Sequence, residues 1–193
     1  MALAFDPIRR AAALWRTRWG PRSQVPAMAA ATSVMRVQQS LLAEFDTIVG
    51  EHGLTFARYE ALVLLAFTRA GELPMSKVGE RLMVHPTSAT NIVQRLEAAG
   101  LVQRRPNPRD GRGTLAVITA RGREVMEAAT ADLVGAGFGL TMLSEAEQDQ
   151  LFETLRRVRL AKGDFLESGE DHSATDPSVA MGRARSEDSR TSY

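Results

Sequence analysis

Residues 75–100 constrain the fold of this chain more than any other stretch. They read MSKVGERLMVHPTSATNIVQRLEAAG and divide into two short helical patterns around a tight turn. In the first, Val78 and Leu82 stand four apart and face one side, with Ser76 the expected N-cap. Met83, Val84 and His85 make the turn. Pro86 suits the first position of the second helix, where a missing N–H costs nothing and φ is already helical. Ile92, Val93 and Leu96 form the buried side of that helix, and Gly100 ends it.

The start of the second helix is unusually polar. Thr87, Ser88, Thr90 and Asn91 fill four of five positions. Such side chains compete with the backbone for hydrogen bonds and disfavour a helix interior, and one cap needs only one of them. Short hydroxyl and amide groups at a helix N-terminus can touch phosphates and base edges when the helix enters a major groove. Arg95 follows one turn later, within reach of a phosphate or a guanine. Taken alone, the same residues fit an N-capped surface helix equally well.

The next segment tips the balance. Leu101–Arg105, ended by Pro106, and Thr114–Thr119 have the character of strands, and NPRDGRG between them is rich in turn formers. Arg104, Arg105, Arg109 and Arg112 lie within nine residues, with Asp110 the single acid among them. A basic loop with glycine on either side of Arg112 can enter a narrow minor groove, where the potential is most negative. A charge cluster by itself is usually a solvated hairpin. Directly after a helix–turn–helix it favours a DNA-reading unit.

The net charge of +1, from 24 basic and 23 acidic residues, hides this focus. Residues 1–26 carry +4, residues 72–113 carry +3, and residues 164–193 carry −4. The last segment is rich in Ser, Asp, Glu and Gly without helical or strand period, and is expected to be a disordered acidic tail. In the first segment, Ile8, Ala11, Trp15 and Trp19 fall at helical spacing, so a short helix is expected that packs its tryptophans on the body of the protein.

The remaining pattern is helical. From about residue 27 to residue 50, Val34, Leu41, Phe45 and Ile48 mark one stripe, and Met28, Met35, Leu42 and Val49 a second beside it. An apolar arc that wide is deeply buried or shared with a partner chain. A second helix starts at Thr55 and closes at Gly71. Arg121 to about Gly137 and a last helix capped by Ser144, with Glu147 at the capping-box position, complete the set.

Several classes are excluded or disfavoured. The chain has no cysteine, which removes disulfide frameworks, thiolate metal sites and thiol redox sensing. Three histidines lie far apart, so no metal site and no cofactor is expected. No apolar run reaches the roughly 18–20 residues of a membrane span, and the N-terminus lacks the long apolar stretch of a secretory signal. No paired nucleophile and base and no phosphate-cradling glycine loop suggests an enzyme. The expected fold is mainly α, a winged helix-turn-helix with a small β-hairpin wing and a helical dimerisation region.

The helix–turn–helix, the RLEAAGLVQR passage into the wing, Asp110 and Arg112 at the wing tip, and the strand–Thr–x–x–Gly step of Thr119 and Gly122 resemble the MarR family of regulators. The resemblance covers about residues 27–163. It departs at Ile118, where the family usually has leucine. It implies dimerisation helices at about 27–50 and 120–163 around a winged helix-turn-helix at about 54–119, with a basic arm at 1–26 and the tail at 164–193 outside it. It implies a cytoplasmic, homodimeric, DNA-binding transcriptional regulator that represses from an inverted-repeat operator. Base and phosphate contacts fall by position on Ser88, Thr90, Asn91 and Arg95, with Arg112 in the minor groove and Asp110 bracing it. Ser76 and Thr87 are further phosphate contacts, and Arg104, Arg105 and Arg109 add sequence-independent attraction. A small aromatic ligand bound near Phe45, Phe56 and Tyr59 is implied as the releasing signal. The rival reading is a dimeric protein-interaction module on the same fold that no longer binds DNA.

Overall fold

The computed structural model describes residues 3–108, 110 and 113–166. The chain divides into a unit of residues 1–142 and a unit of residues 143–193. Within the first, α1 (Pro7–Trp19) begins where the Asp6 carboxylate accepts from the N–H groups of Ile8 and Arg9 at 2.9 and 3.1 Å. Gly20 ends it at φ 76°, and the helix packs against α2 (Val25–Gly50). The tryptophans do not bury themselves on the body as expected. Their ring centroids lie 4.3 Å apart, the Trp15 indole N–H donates to the Ser23 carbonyl at 3.0 Å, and Trp19 remains 58% exposed.

Only Val25 and Val49 of α2 are buried. Near its C-terminal end, Phe45 and Ile48 join the core with Val49. Further back, Val34, Met35, Val37 and Leu42 are all exposed. The wide apolar arc of the sequence is therefore not consumed inside the unit. Deep burial within the chain, one of the two expectations for that arc, does not hold for these residues.

Helix α3 (Phe56–Ala66) supplies the centre of the core through Tyr59, Ala61, Leu62 and Leu65. Thr55 stands at the N-cap with extended backbone, but its side chain caps nothing. Asp46 of α2 does that work, accepting from the Phe56 N–H at 2.7 Å, and the Thr55 hydroxyl accepts from Arg58 Nε at 3.2 Å. The helix stops at Ala66 rather than Gly71. Gly71, at φ 68°, instead offers its carbonyl to the Ile118 N–H at 2.9 Å.

That contact leads into a third strand, added to the expected hairpin. Glu72–Pro74 is strand β1 and pairs antiparallel with the third strand, in the order β1-β3-β2. Leu73 lies opposite Ala116. Strands β2 (Val102–Pro106) and β3 (Thr114–Ile118) form the hairpin, with Arg104 opposite Ala116 and Pro106 opposite Thr114. Helices α4 (Met75–Arg81) and α5 (Pro86–Ala98) separate β1 from β2. Helix α6 (Ala120–Gly135) follows β3, and Met126, Ala129 and Leu133 seat it against the core. The His52 imidazole meets Asp132 at 2.7 Å and ties α6 to the turn after α2.

The second unit contains α7 (Glu145–Ala161). The Glu147 carboxylate accepts from the Ser144 N–H at 2.8 Å and from its hydroxyl at 2.7 Å, in the expected capping box. No residue of α7 is buried, and Leu151, Phe152 and Val158 are exposed.

Candidate nucleic-acid interface

Helix α4 begins directly after Pro74. Ser76 is therefore its second residue and exposed, not the N-cap expected. Val78 and Gly79 are buried where α4 meets α5. A Cβ on Gly79 would lie 3.4 Å from that of Ala89, so the two helices approach closely at this point. Met83 takes φ 53° in the turn, a left-handed value that costs a side-chain-bearing residue free energy and sharpens the corner.

Pro86 occupies the first position of α5, as expected. The N-cap is His85, whose Nδ1 accepts from the Thr87 N–H at 3.3 Å. Ala89, Val93 and Leu96 turn inward with no exposed surface of note. Thr87, Ser88, Thr90, Asn91 and Arg95 are all exposed. None of the four short polar side chains serves as the cap. Thr90 donates its hydroxyl proton to the Pro86 carbonyl at 2.9 Å, which leaves the oxygen lone pairs as an acceptor for an outside donor. The excess of polar residues thus has no capping explanation. Gln94, exposed one turn beyond Thr90, belongs to the same surface. Its i+4 relation to Thr90 was the available signal, and the sequence reading passed over it.

The arginines differ in how they are held. Arg104 Nε meets the Glu97 carboxylate at 2.6 Å, and Arg105 reaches Glu72 at 3.8 Å. Both are already paired within the chain. Among the described residues, Arg95 and Arg58 have no carboxylate partner. A cleft of about 270 Å³ runs between α3 and α5, lined by Thr55, Arg58, Asn91, Ile92 and Arg95. Arg58 was not among the residues singled out from sequence, because it is remote from the helix–turn–helix and sits in an ordinary helical pattern.

Arg109 and Arg112 lie outside the described residues. Among the described residues, hydrogen bonds join the backbone on either side of them. Asn107 N–H donates to the Gly113 carbonyl at 2.9 Å, Asp110 N–H to Asn107 at 3.2 Å, and Gly113 N–H to Asp110 at 2.8 Å. Asp110 is thus part of the turn itself.

The three aromatic residues expected near a ligand do come together. Phe45 and Phe56 have ring centroids 4.8 Å apart, Phe56 and Tyr59 5.8 Å, and Phe138 meets Phe45 edge-on at 6.1 Å. The Tyr59 hydroxyl bonds to Thr130 at 2.9 Å, and the ring is buried. Among the described residues no group of three or more histidine, aspartate or glutamate side chains is placed to hold a metal, and no helix is long and apolar enough to cross a membrane.

A sequence profile of the MarR family matches residues 52–113, which span the helix–turn–helix and the hairpin. The crystal structure of Sco5413, a MarR family transcriptional regulator from Streptomyces coelicolor, is 62% identical, with a TM-score of 0.69 over 74% of this chain and 99% of that one. The chain belongs to the MarR family. Like those relatives it is a transcriptional regulator, not an enzyme. Sco3205 from the same organism, a MarR family regulator solved in complex with DNA, is 26% identical, with a TM-score of 0.65 over 74% of this chain and 91% of that one. The regulator MhqR of Bacillus subtilis is 29% identical over 136 residues, covering 67% of this chain and 89% of that protein. This MarR chain therefore places its polar helix, hairpin and flanking helices within a fold that a relative uses on DNA.

Proposed function

We propose that the chain acts in the cytoplasm as a homodimeric repressor that reads an inverted-repeat operator through α5 and is released by a small aromatic ligand. One observation carries the reading. Thr87, Ser88, Thr90, Asn91 and Arg95 form an exposed surface on α5 in which none is used as a cap and the single cation has no carboxylate partner. Two such helices in a dimer reach successive major grooves one helical turn, ~34 Å, apart. Ser88 and Asn91 contact base edges, Ser76, Thr87 and Thr90 position the backbone, Arg95 reaches a phosphate at the flank of the helix, and Arg112 enters the minor groove beside them. Arg109 adds attraction without sequence preference, and Arg104 and Arg105 do so only in part, since both have carboxylates close by.

The domain boundaries follow from this assignment. Residues 27–50 and 120–163 serve dimerisation, 54–119 read DNA, and 1–26 and 164–193 are an arm and a tail. The exposed apolar residues of α2, and separately those of α7, support burial against a second copy. A ligand site at Phe45, Phe56 and Tyr59 is supported by the joining of those rings, though they fill space by stacking on one another. A protein-interaction module freed from DNA has no need of a basic hairpin beside a polar helix start, and this chain keeps both.

The test pairs two substitutions on a palindrome from the chain's own promoter region. Arg112→Ala weakens binding to all sequences and lowers the salt slope by about one, while Asn91→Ala changes base preference. Unchanged binding in both variants would refute the assignment.

A further inference from the structure

We propose that the cleft between α3 and α5 is a seat for a DNA backbone phosphate, clamped between Arg58 and Arg95. This rests on the DNA-reading assignment of α5 and adds a contact from a helix outside the helix–turn–helix. The cleft is lined by Thr55, Arg58, Asn91, Ile92 and Arg95, two of them cationic and none a carboxylate. The Arg58 Nε–H is spent on Thr55 at 3.2 Å, which anchors the guanidinium and leaves its two terminal nitrogens as donors. Arg95 is Asn91's i+4 neighbour, so both project along the flank of α5 that borders this cleft.

The charge pattern distinguishes this place from the two described arginines of the hairpin. Arg104 and Arg105 face Glu97 and Glu72 and must surrender those partners to meet a phosphate. Arg58 and Arg95 surrender nothing, so their full attraction is available to an incoming anion. Guanidinium forks match the oxygens of a phosphate in a bidentate manner. With α5 in the major groove, the strand that borders the groove runs past its flank. Clamping fixes the depth and rotation of α5, so Arg58 sets register without reading any base.

The experiment measures affinity for the selected operator and for random duplex as a function of salt, for the wild type, Arg58→Ala, Arg58→Lys and the Arg58→Ala/Arg95→Ala pair. The expected result is a loss of about tenfold for Arg58→Ala on both DNAs, with the slope of log affinity against log salt reduced by about 0.9. Arg58→Lys recovers the slope and part of the affinity. The double variant loses less than the sum of its parts, because both side chains grip one phosphate. Melting temperatures of the free proteins check folding. Ethylation interference with the wild type adds a reading that needs no variant: one modified phosphate per half-site blocks binding, and that block disappears with Arg58→Ala or, if that chain does not fold, with Arg58→Lys weakens. An unchanged slope, or a loss confined to one sequence, overturns the clamp. Tight binding of inorganic phosphate or benzoate that competes with DNA at the same residues would make the cleft a small-anion site instead. If the wild type ignores the operator, or Asn91→Ala leaves its preference intact, the reading of α5 fails and not the clamp alone.

Discussion

Thr119 joins two parts of the chain with one hydroxyl. Its oxygen accepts from the Gly122 N–H at 2.9 Å and caps α6, and its proton is shared between the Gly100 and Leu101 carbonyls at 2.9 and 3.1 Å. The end of α5 is thereby fastened to the start of α6. A Cβ on Gly122 would collide with the Leu101 carbonyl, so this step also needs a residue without a side chain. Gly122→Ala is expected to lower unfolding stability by about 1–3 kcal/mol, and Thr119→Val by about 1 kcal/mol through the lost cap. Urea melts at neutral pH measure both, and an unshifted midpoint for Gly122→Ala contradicts this packing. At this scale the sequence was a good guide where chemistry and geometry are coupled one to one. Pro86, Thr119 with Gly122, and Ser144 with Glu147 all sit where their types demand. It was a poor guide where a cap comes from elsewhere. Asp46 caps α3 from ten residues away, and His85 rather than a hydroxyl residue caps α5.

At the scale of elements, the capping box of α7 carries a pH signature. The Ser144 backbone hydrogen bond first, and its hydroxyl second, hold the Glu147 carboxyl below its ordinary value. A folded value lowered in this way contributes stability above the unfolded pKa, and that contribution is lost as pH falls through the folded value. The first turn of α7 is therefore expected to fray at acid pH before the buried core responds. The Ser144 amide shift in an NMR titration should report this, and Glu147→Gln should remove the acid transition. Element type was read well from periodicity, including all the long helices and the hairpin. Strand β1 escaped because three residues ending in proline show no alternation; only the long-range pairing of Leu73 with Ala116 makes it a strand. The short helix α1 was expected, but the fate of its tryptophans was not. Periodicity shows which side chains share a face, not whether that face finds a cover.

The whole molecule combines a balanced net charge with an uneven distribution. The +3 of residues 72–113 is concentrated where α5 and the hairpin lie, and the −4 of residues 164–193 offsets it in the total. A single average would have pointed away from DNA. The uncovered residues of α2 make a second whole-molecule prediction. Met35→Glu places a charge in a face that the account buries between subunits, so the dimer dissociation constant should rise by tenfold or more. Sedimentation equilibrium measures this. Operator affinity should fall in parallel, because two linked half-sites bind far more tightly than one. A variant that stays dimeric moves the interface away from α2. Whether paired α5 helices read a symmetric operator is decided by selecting bound sequences from a random duplex library with the purified full chain. The expected result is an inverted repeat with half-site centres about one helical turn, ~10–10.5 base pairs, apart, and an altered half-site consensus when Asn91→Ala is selected in the same way. An enriched sequence without two-fold symmetry, or the same consensus from both proteins, would contradict it.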